Sequence, residues 1–273
     1  MVSEDVKRRS IHGEVEYRKK LVRQQILSQE HHFDDHKTSL GDVYESWMKP
    51  QIQKLDDLMK DVYTLKRPSF FLEVGSENTH LGLHLRNNHG IDGVCIDLSF
   101  DTLKLGVPKV AEKLDVEKKP LLVVADVHHM PFHKGAFDLI CCFGSLHHFY
   151  ELGRAIKEIR EVCIEKGVFI SSYDPLKPFL RPRQKESCSE ISYGILENSY
   201  TLREYVTPLK KYFSKVTVKY PPSSEKLDVL CKIRRLKGTR IASTVQSLMP
   251  KKLALTLRLL WFGIDDFTSI SVA

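Results

Sequence analysis

Between Pro68 and Asp174 short apolar runs alternate with helical patterns, and this alternation constrains the chain more than any other feature. Residues 70–74 (FFLEV), 93–97 (GVCID), 121–125 (LLVVA), 137–142 (FDLICC) and 167–173 (GVFISSY) read as strands. Between them, residues 79–87, 100–114 and 152–163 carry helical spacing, with Ser99 placed to cap the second of these helices. Strands that are apolar almost throughout, alternating with helices, predict a parallel sheet covered on both faces. Right-handed crossovers then give a doubly wound α/β fold. Such sheets bind ligands beyond the carboxyl ends of their strands, where the strand order reverses.

The flanks read differently. Residues 1–66 are polar and helical, with an amphipathic helix at 15–27 and a second helical stretch at 41–63 broken near Pro50. Beyond Asp174, residues 175–197 form a loop or small insert with Pro175, Pro178 and Pro182. Thr201-Leu-Arg-Glu204 is a capping box that opens a helix running to about Tyr212. Residues 215–220 (KVTVKY) and 267–272 (FTSISV) supply a sixth and a seventh strand. The organisation expected is therefore an N-terminal helical extension at 1–66, a core at 67–222, a helical insert at 223–263 and a final core strand at 264–273.

The net charge of +7 is concentrated in one region. From Leu180 onward 17 Lys/Arg stand against 8 Asp/Glu, and no aromatic-interleaved basic motif of the nucleic-acid-binding kind accompanies them. A solvated lysine-rich surface explains this charge, so nucleic acid is not the favoured partner. None of the six cysteines forms a C-x-x-C pair, and several lie in strand-like runs, which predicts buried free thiols in a reducing compartment. The first twenty residues lack the apolar region of a signal peptide. No run approaches the roughly 20 apolar residues of a membrane span. A cytoplasmic protein without a transmembrane segment is expected. The apolar stretch at 253–263 (LALTLRLLWFG) packs on the domain, forms a homodimer interface through the 223–263 insert, or touches lipid, in that order of preference.

Chemistry-bearing residues gather at the strand ends. Glu73 and Gly75 close the first strand, Asp97 closes the second, and Asp126 follows the third. A turn containing Gly75 lets backbone approach a ligand closely. A carboxylate ending the second strand can accept both hydroxyls of a ribose. One after the third strand can accept an adenine amino group.

Five stretches then occur in order: EVGSENTHLG (73–82), GVCIDLS (93–99), ADVHHMPF (125–132), FDLICCFGSLHHF (137–149) and AIKEIREVCIEKGVFI (155–170). Together they resemble the class I S-adenosylmethionine-dependent methyltransferases, in particular the type 11-like branch. The resemblance covers about 68–174. It implies a seven-stranded, mostly parallel, Rossmann-like sheet and S-adenosylmethionine as cofactor. It also implies that Glu73, Gly75 and Ser76 face the methionine part of the cofactor and that Asp97 holds the ribose, with Leu98 beside the adenine. Asp126 and Val127 would address the adenine edge, and Phe143 would lie near the methyl group. The sequence departs from the family where the first motif usually carries two further glycines; Glu77 and Thr79 stand there. Either the loop follows a different path or the cofactor is held more weakly.

Methyl transfer from a sulfonium needs positioning and desolvation of a nucleophile, and a base where that nucleophile must lose a proton. His147 and Tyr173 are the catalytic candidates, with His148 and Asp174 beside them. His128 and His129 read as surface residues. The His31–His36 run (HHFDDH) is too contiguous for a tidy metal set, so no metal site is assigned. The N-terminal segment reads as a lid, with Phe33 and Tyr44 as contacts, and Tyr193, Tyr200 and Glu204 lie where the resembled family builds acceptor pockets. The expected activity is transfer of a methyl group to an O or N nucleophile of a small-molecule acceptor. The alternatives are an RNA methyltransferase of the tRNA type, and a non-catalytic scaffold on a degenerate fold.

Overall fold

The computed structural model describes residues 3–23, 40–177, 189–196, 198, 200–220 and 264–273. Its strands are β1 (Phe70–Val74), β2 (Asp92–Asp97), β3 (Leu121–Val124), β4 (Phe137–Phe143), β5 (Cys163–Leu176), β6 (Lys215–Lys219) and β7 (Ile264–Val272). They form one sheet in the order β3-β2-β1-β4-β5-β7-β6. Strands β1 to β5 run parallel, and β7 is antiparallel to both β5 and β6. The order reverses between β1 and β4, so the expected crevice lies beyond their carboxyl ends. This is the doubly wound, seven-stranded, mostly parallel sheet that the sequence predicts.

Eight α-helices accompany it among the described residues: α1 (Glu4–Val22), α2 (Leu40–Val43), α3 (Lys49–Leu65), α4 (His80–Asn88), α5 (Val107–Lys113), α6 (Leu152–Val162), α7 (Ser189–Ser192) and α8 (Leu202–Tyr212). The sheet is buried on both faces by alternate side chains. Leu72, Val74 and Ile96 meet Ala155, Ile156 and Ile159 of α6 and Leu209 of α8. Phe71, Cys95 and Leu139 meet Leu55, Met59 and Val62 of α3 and Leu81 and Leu85 of α4. Each fully buried Leu or Ile here contributes roughly 1.5–3 kcal/mol, which is why the central strands tolerate few polar residues. One exception is Asp138 in β4. Its carboxylate accepts the Ser69 N–H (2.9 Å), the Ser69 hydroxyl (2.8 Å) and the Phe70 N–H (3.0 Å), tying the start of β1 to its neighbour.

Three boundaries differ from expectation for local reasons. Helix α1 starts at Glu4 rather than near residue 15, because Ser3 caps it and Glu4 and Asp5 complement its N-terminal dipole. The second helical stretch does not break at Pro50. A π turn at Tyr44–Met48 joins α2 to α3, and Pro50 sits in the first turn of α3, where a missing N–H costs little. Strand β5 continues to Leu176, into what reads from sequence as a loop. The capping box at Thr201 and Glu204 is present as predicted.

The four described cysteines, Cys95, Cys141, Cys142 and Cys163, are free and buried, and burial pushes their thiols up. Among the described residues no helix is long and apolar enough to cross a membrane. The His31–His36 run with Phe33, the 223–263 insert with its apolar end and proposed dimer surface, and Cys188 and Cys231 lie outside the described residues.

Candidate active site

One cavity of about 540 Å³ opens beyond the carboxyl ends of β1, β2, β3 and β4. Its floor is the loop after β1. Gly75 adopts φ +65°, and the two residues standing at family glycine positions, Glu77 (φ +44°) and Thr79 (φ +60°), adopt left-handed conformations too. The loop therefore keeps a glycine-type path without the glycines, at a cost of about 1–2 kcal/mol for each L side chain held there. Two backbone bonds hold this path. Ser76 N–H donates to Ile96 O at 3.0 Å, and Thr79 N–H donates to Ser76 O at 2.6 Å. Gly75 itself is needed twice over, because a Cβ there would lie 2.5 Å from Ser145 Oγ.

Glu73 is buried at the end of β1 and accepts the Gly82 N–H at 2.9 Å, so it seats the first turn of α4 against the sheet. Burial raises its carboxyl to about 8, so the group is neutral at pH 7. Asp97 faces the cavity. Its Oδ2 accepts the Glu77 N–H and its Oδ1 the Ser99 N–H, both at 2.8 Å. Burial raises this carboxyl to about 6, against the opposing pull of the Ser99 N–H and of the Arg18 cation. At Asp126, Oδ1 accepts from His128 (Nδ1 at 2.6 Å) and Oδ2 from the Tyr150 hydroxyl (2.8 Å). Burial opposes ionisation there too, but these bonds outweigh it and hold the carboxyl at about 2.

The end of the cavity that holds His147 is built across strands. A register shift in β5 between Ser171 and Asp174 coincides with a left-handed Tyr173 (φ +63°). Beyond it Asp174 is fully buried, and its Oδ1 accepts from His147 Nδ1 at 2.8 Å and from the His147 N–H at 3.2 Å. A carboxylate on Nδ1–H fixes the imidazole tautomer that carries its lone pair on Nε2. His148 is held neutral by burial and lies against His147, with ring centroids 4.0 Å apart.

Glu73, Gly75, Ser76, Asp97, Leu98, Asp126, Val127, Phe143 and His147 all line the cavity. Tyr173 does not; its ring packs against Trp47 and Phe143 behind the wall. Three further expectations are corrected. His128 is buried rather than on the surface, stacked on Tyr150 at 3.6 Å and bonded to Asp126. Tyr44 packs in the cluster of Leu103 and Val107, and Trp47, one turn on, meets the cavity instead. Tyr193 packs on Tyr17, Tyr200 donates to Phe149 O, and Glu204 caps α8, so none of the three lines the cavity.

The sequence reading expected the N-terminal segment to act as a lid but missed the residues of it that face the cavity. Ser10, Ile11, Glu14 and Arg18 of α1 line the cavity, as do Ser46, Trp47 and Gln51 of the α2–α3 run. Arg18 bonds Glu14 (2.7 Å) on its own helix and Glu77 (3.2 Å) on the β1 loop, so the negative charge at the non-glycine position has a partner. Helix α1 is further tied down by Lys7 to Glu151 (3.1 Å) and by the Leu196 N–H to Ser10 Oγ (3.2 Å). Its buried face holds Tyr17, Leu21 and Val22 within the expected amphipathic stretch, but only Ser10 and Gly13 before it, too small and polar to extend the apolar stripe toward the N-terminus. The signal available was the Ser3 cap followed by two acids.

Residues 72–171 match the family described as a methyltransferase domain. Over 103 residues the chain is 28% identical to a malonyl-[acyl-carrier protein] O-methyltransferase of Geobacter sulfurreducens, covering 37% of each chain. Over 154 residues it is 25% identical to norajmaline N-methyltransferase of Rauvolfia serpentina, covering 53% of this chain and 52% of that one. The chain thus spans between about a third and a half of the length of these curated relatives. The fold is shared with the geranyl diphosphate C-methyltransferase of Streptomyces coelicolor A3(2), solved with Mg2+, geranyl diphosphate and S-adenosyl-L-homocysteine. The TM-score is 0.54 at 14% identity, over 82% of this chain and 76% of that one. The strand order and the motif order agree with the matched domain, and together they support a class I methyltransferase domain over residues 72–171.

Proposed function

We propose that the chain is an S-adenosylmethionine-dependent methyltransferase acting on an O or N nucleophile of a small molecule in the cytoplasm. One observation carries the reading: the Gly75 turn, Asp97, Asp126 and the His147–Asp174 pair converge on a single cavity at the switch point of the sheet. The residues fit the cofactor. Asp97 offers its carboxylate to a ribose, Leu98 and Val127 flank an adenine, and the Gly75–Ser76 backbone with Glu73 lies at the methionine end. When bound, S-adenosylmethionine supplies a methyl group already activated on a sulfonium.

The chain's own residues do the rest. Helix α1 and the α2–α3 run cover the cavity and keep water from the acceptor. Phe143 and Trp47 give an apolar wall that orients it. His147 takes the acceptor's proton at Nε2, and Asp174 positions the ring and stabilises the imidazolium that forms. Tyr173 shapes the wall from behind Phe143.

The test is calorimetric titration with S-adenosylhomocysteine, comparing the wild type with Asp97→Ala. Micromolar binding lost in the variant supports the cofactor site, and no binding at millimolar ligand sinks the enzyme reading. With an acceptor in hand, His147→Gln should lower kcat by about 10²–10⁴-fold with KM little changed. An unchanged kcat would remove His147 from the role of base.

A further inference from the structure

Away from the cavity, on the outer side of the α3–α4 pair, Asp56, His84 and His89 bring three ligand atoms within 4.8 Å of one another. His84 Nε2 lies 2.7 Å, and His89 Nε2 2.9 Å, from the same oxygen, Asp56 Oδ1. The rings stand edge to face at 73°, with centroids 5.4 Å apart. We infer that Asp56, His84 and His89 form a binding site for a divalent transition metal of the Zn2+ type, clamping α3 to α4.

Four features carry the assignment. The donors come from separate positions, the middle of α3, the middle of α4 and the residue capping α4's C-terminus, so the fold assembles them. This is the one set of three such groups among the described residues. Two imidazoles and one carboxylate suit Zn2+, Co2+ or Ni2+ and not Mg2+ or Ca2+, which take oxygen ligands. Each imidazole side chain is 14% exposed while Asp56 is 42% exposed, so the nitrogens are seated and the metal has a path in from solvent. A fourth position remains for water.

The surroundings also fit. Tyr63 Oη lies 2.8 Å from His89 Nδ1, the outer partner that a metal-bound imidazole requires. Without metal, both Nε2–H groups donate to Asp56 and His89 Nδ1 accepts from Tyr63. With metal, each ring carries its proton on Nδ1 instead, and His89 Nδ1–H donates to Tyr63 Oη. At about 2.0–2.1 Å from a tetrahedral ion the three donors would stand roughly 3.3 Å apart, so Asp56 Oδ1 must part from each nitrogen by about half an ångström. Rotation of the half-exposed Asp56 side chain supplies that movement.

The clamp bears on the cavity. One turn along the same two helices, Gln51 Oε1 meets His80 Nε2 at 3.0 Å, and both residues line the cavity. Metal at Asp56 would hold the α3–α4 pair that presents them.

The test uses the full chain, stripped with a chelator and titrated calorimetrically with Zn2+. The expected result is one equivalent bound, weakened at least about tenfold by His84→Gln or His89→Gln and less severely by Tyr63→Phe. Co2+ absorption should show the same dependence. The triple variant His31→Gln, His32→Gln, His36→Gln removes the other histidine-rich run and should leave the equivalent in place. Thermal melts without metal check that each variant is folded, and Tyr63→Phe serves where a histidine variant is not. No binding at roughly 0.1 mM Zn2+ would overturn the assignment. So would affinity untouched at positions 84, 89 and 63, or binding lost in the triple variant.

Discussion

Replacing Gly75 by Ala tests whether the β1 loop is held by sterics or only by ligand. Its φ of +65° costs an L residue about 1–2 kcal/mol. The new Cβ would lie 2.5 Å from Ser145 Oγ and 2.7 Å from Ser145 Cβ. Overpacking of that kind adds about 1–3 kcal/mol. Loss of glycine's freedom in the unfolded chain returns about 0.4–1 kcal/mol. Gly75→Ala should therefore destabilise the protein by about 1.5–4 kcal/mol, read in urea as a lower midpoint at unchanged m. Ser145→Gly removes both contacting atoms. Alone it loses the Oγ bonds to Gly75 O (3.1 Å) and Phe143 O (3.2 Å). In the double variant the clash vanishes while the left-handed strain remains, so the cycle should show about 1–3 kcal/mol of favourable coupling. Glu77→Gly in the same loop should fall within about 1 kcal/mol of wild type, because relief of strain offsets the lost Arg18 pair and the added chain freedom. Coupling below about 0.5 kcal/mol, or a Glu77→Gly cost equal to that of Gly75→Ala, would refute the steric account.

The remaining predictions concern charge in the cavity. The role proposed for Asp97 requires its ionised carboxylate, so S-adenosylhomocysteine affinity should fall as pH drops through about 6, and Asp97→Asn should flatten that profile. The same group favours the unliganded fold at low pH, since its raised carboxyl binds a proton between about 6 and 3.8 while the unfolded chain does not. Arg18→Met removes a cation that opposes the effect of burial on Asp97. It should move the onset of cofactor binding to higher pH, measured by the same titration; an unmoved onset would mean that Arg18 is screened from the site. Glu73 is neutral at pH 7, so its stabilising contribution is complete below about 4.5 and is lost as pH rises through about 8. Glu73→Gln should remove that slope from urea midpoints taken across the range, with little change at pH 5.

Much of the fold was legible because it is written locally. Apolar runs of strand length, the Thr201 capping box and the Ser99 cap each act within a few residues, and the strands β1 to β4 and the helix after Thr201 formed within a few residues of their expected bounds. The cofactor-facing candidates were legible for a related reason: in a parallel sheet a carboxylate at a strand's carboxyl end has one place to go. Glu77 and Thr79 show where local reading stops. Sequence registers two missing glycines, whereas loop closure between β1 and α4 imposes left-handed backbone on whatever residue is present.

The sequence by itself determined the alternation of strands and helices in the core, the seven-stranded, mostly parallel sheet that its motifs imply, and the acids at the strand ends, because periodicity and capping depend on near neighbours. Only the tertiary structure decided which distant groups meet. Arg18 finds Glu77 across 59 residues, His147 finds Asp174 across 27, and Asp56 finds His84 and His89 across 28 and 33. It also buried His128, turned the Tyr173 ring onto Trp47 and Phe143, and laid the polar first half of α1 across the cavity. These pairings follow from how crossovers pack helices on the sheet, and from the shifted register that carries Asp174 to His147. No local pattern encodes them, because the free energy that selects them is shared among contacts made only once the layers have closed.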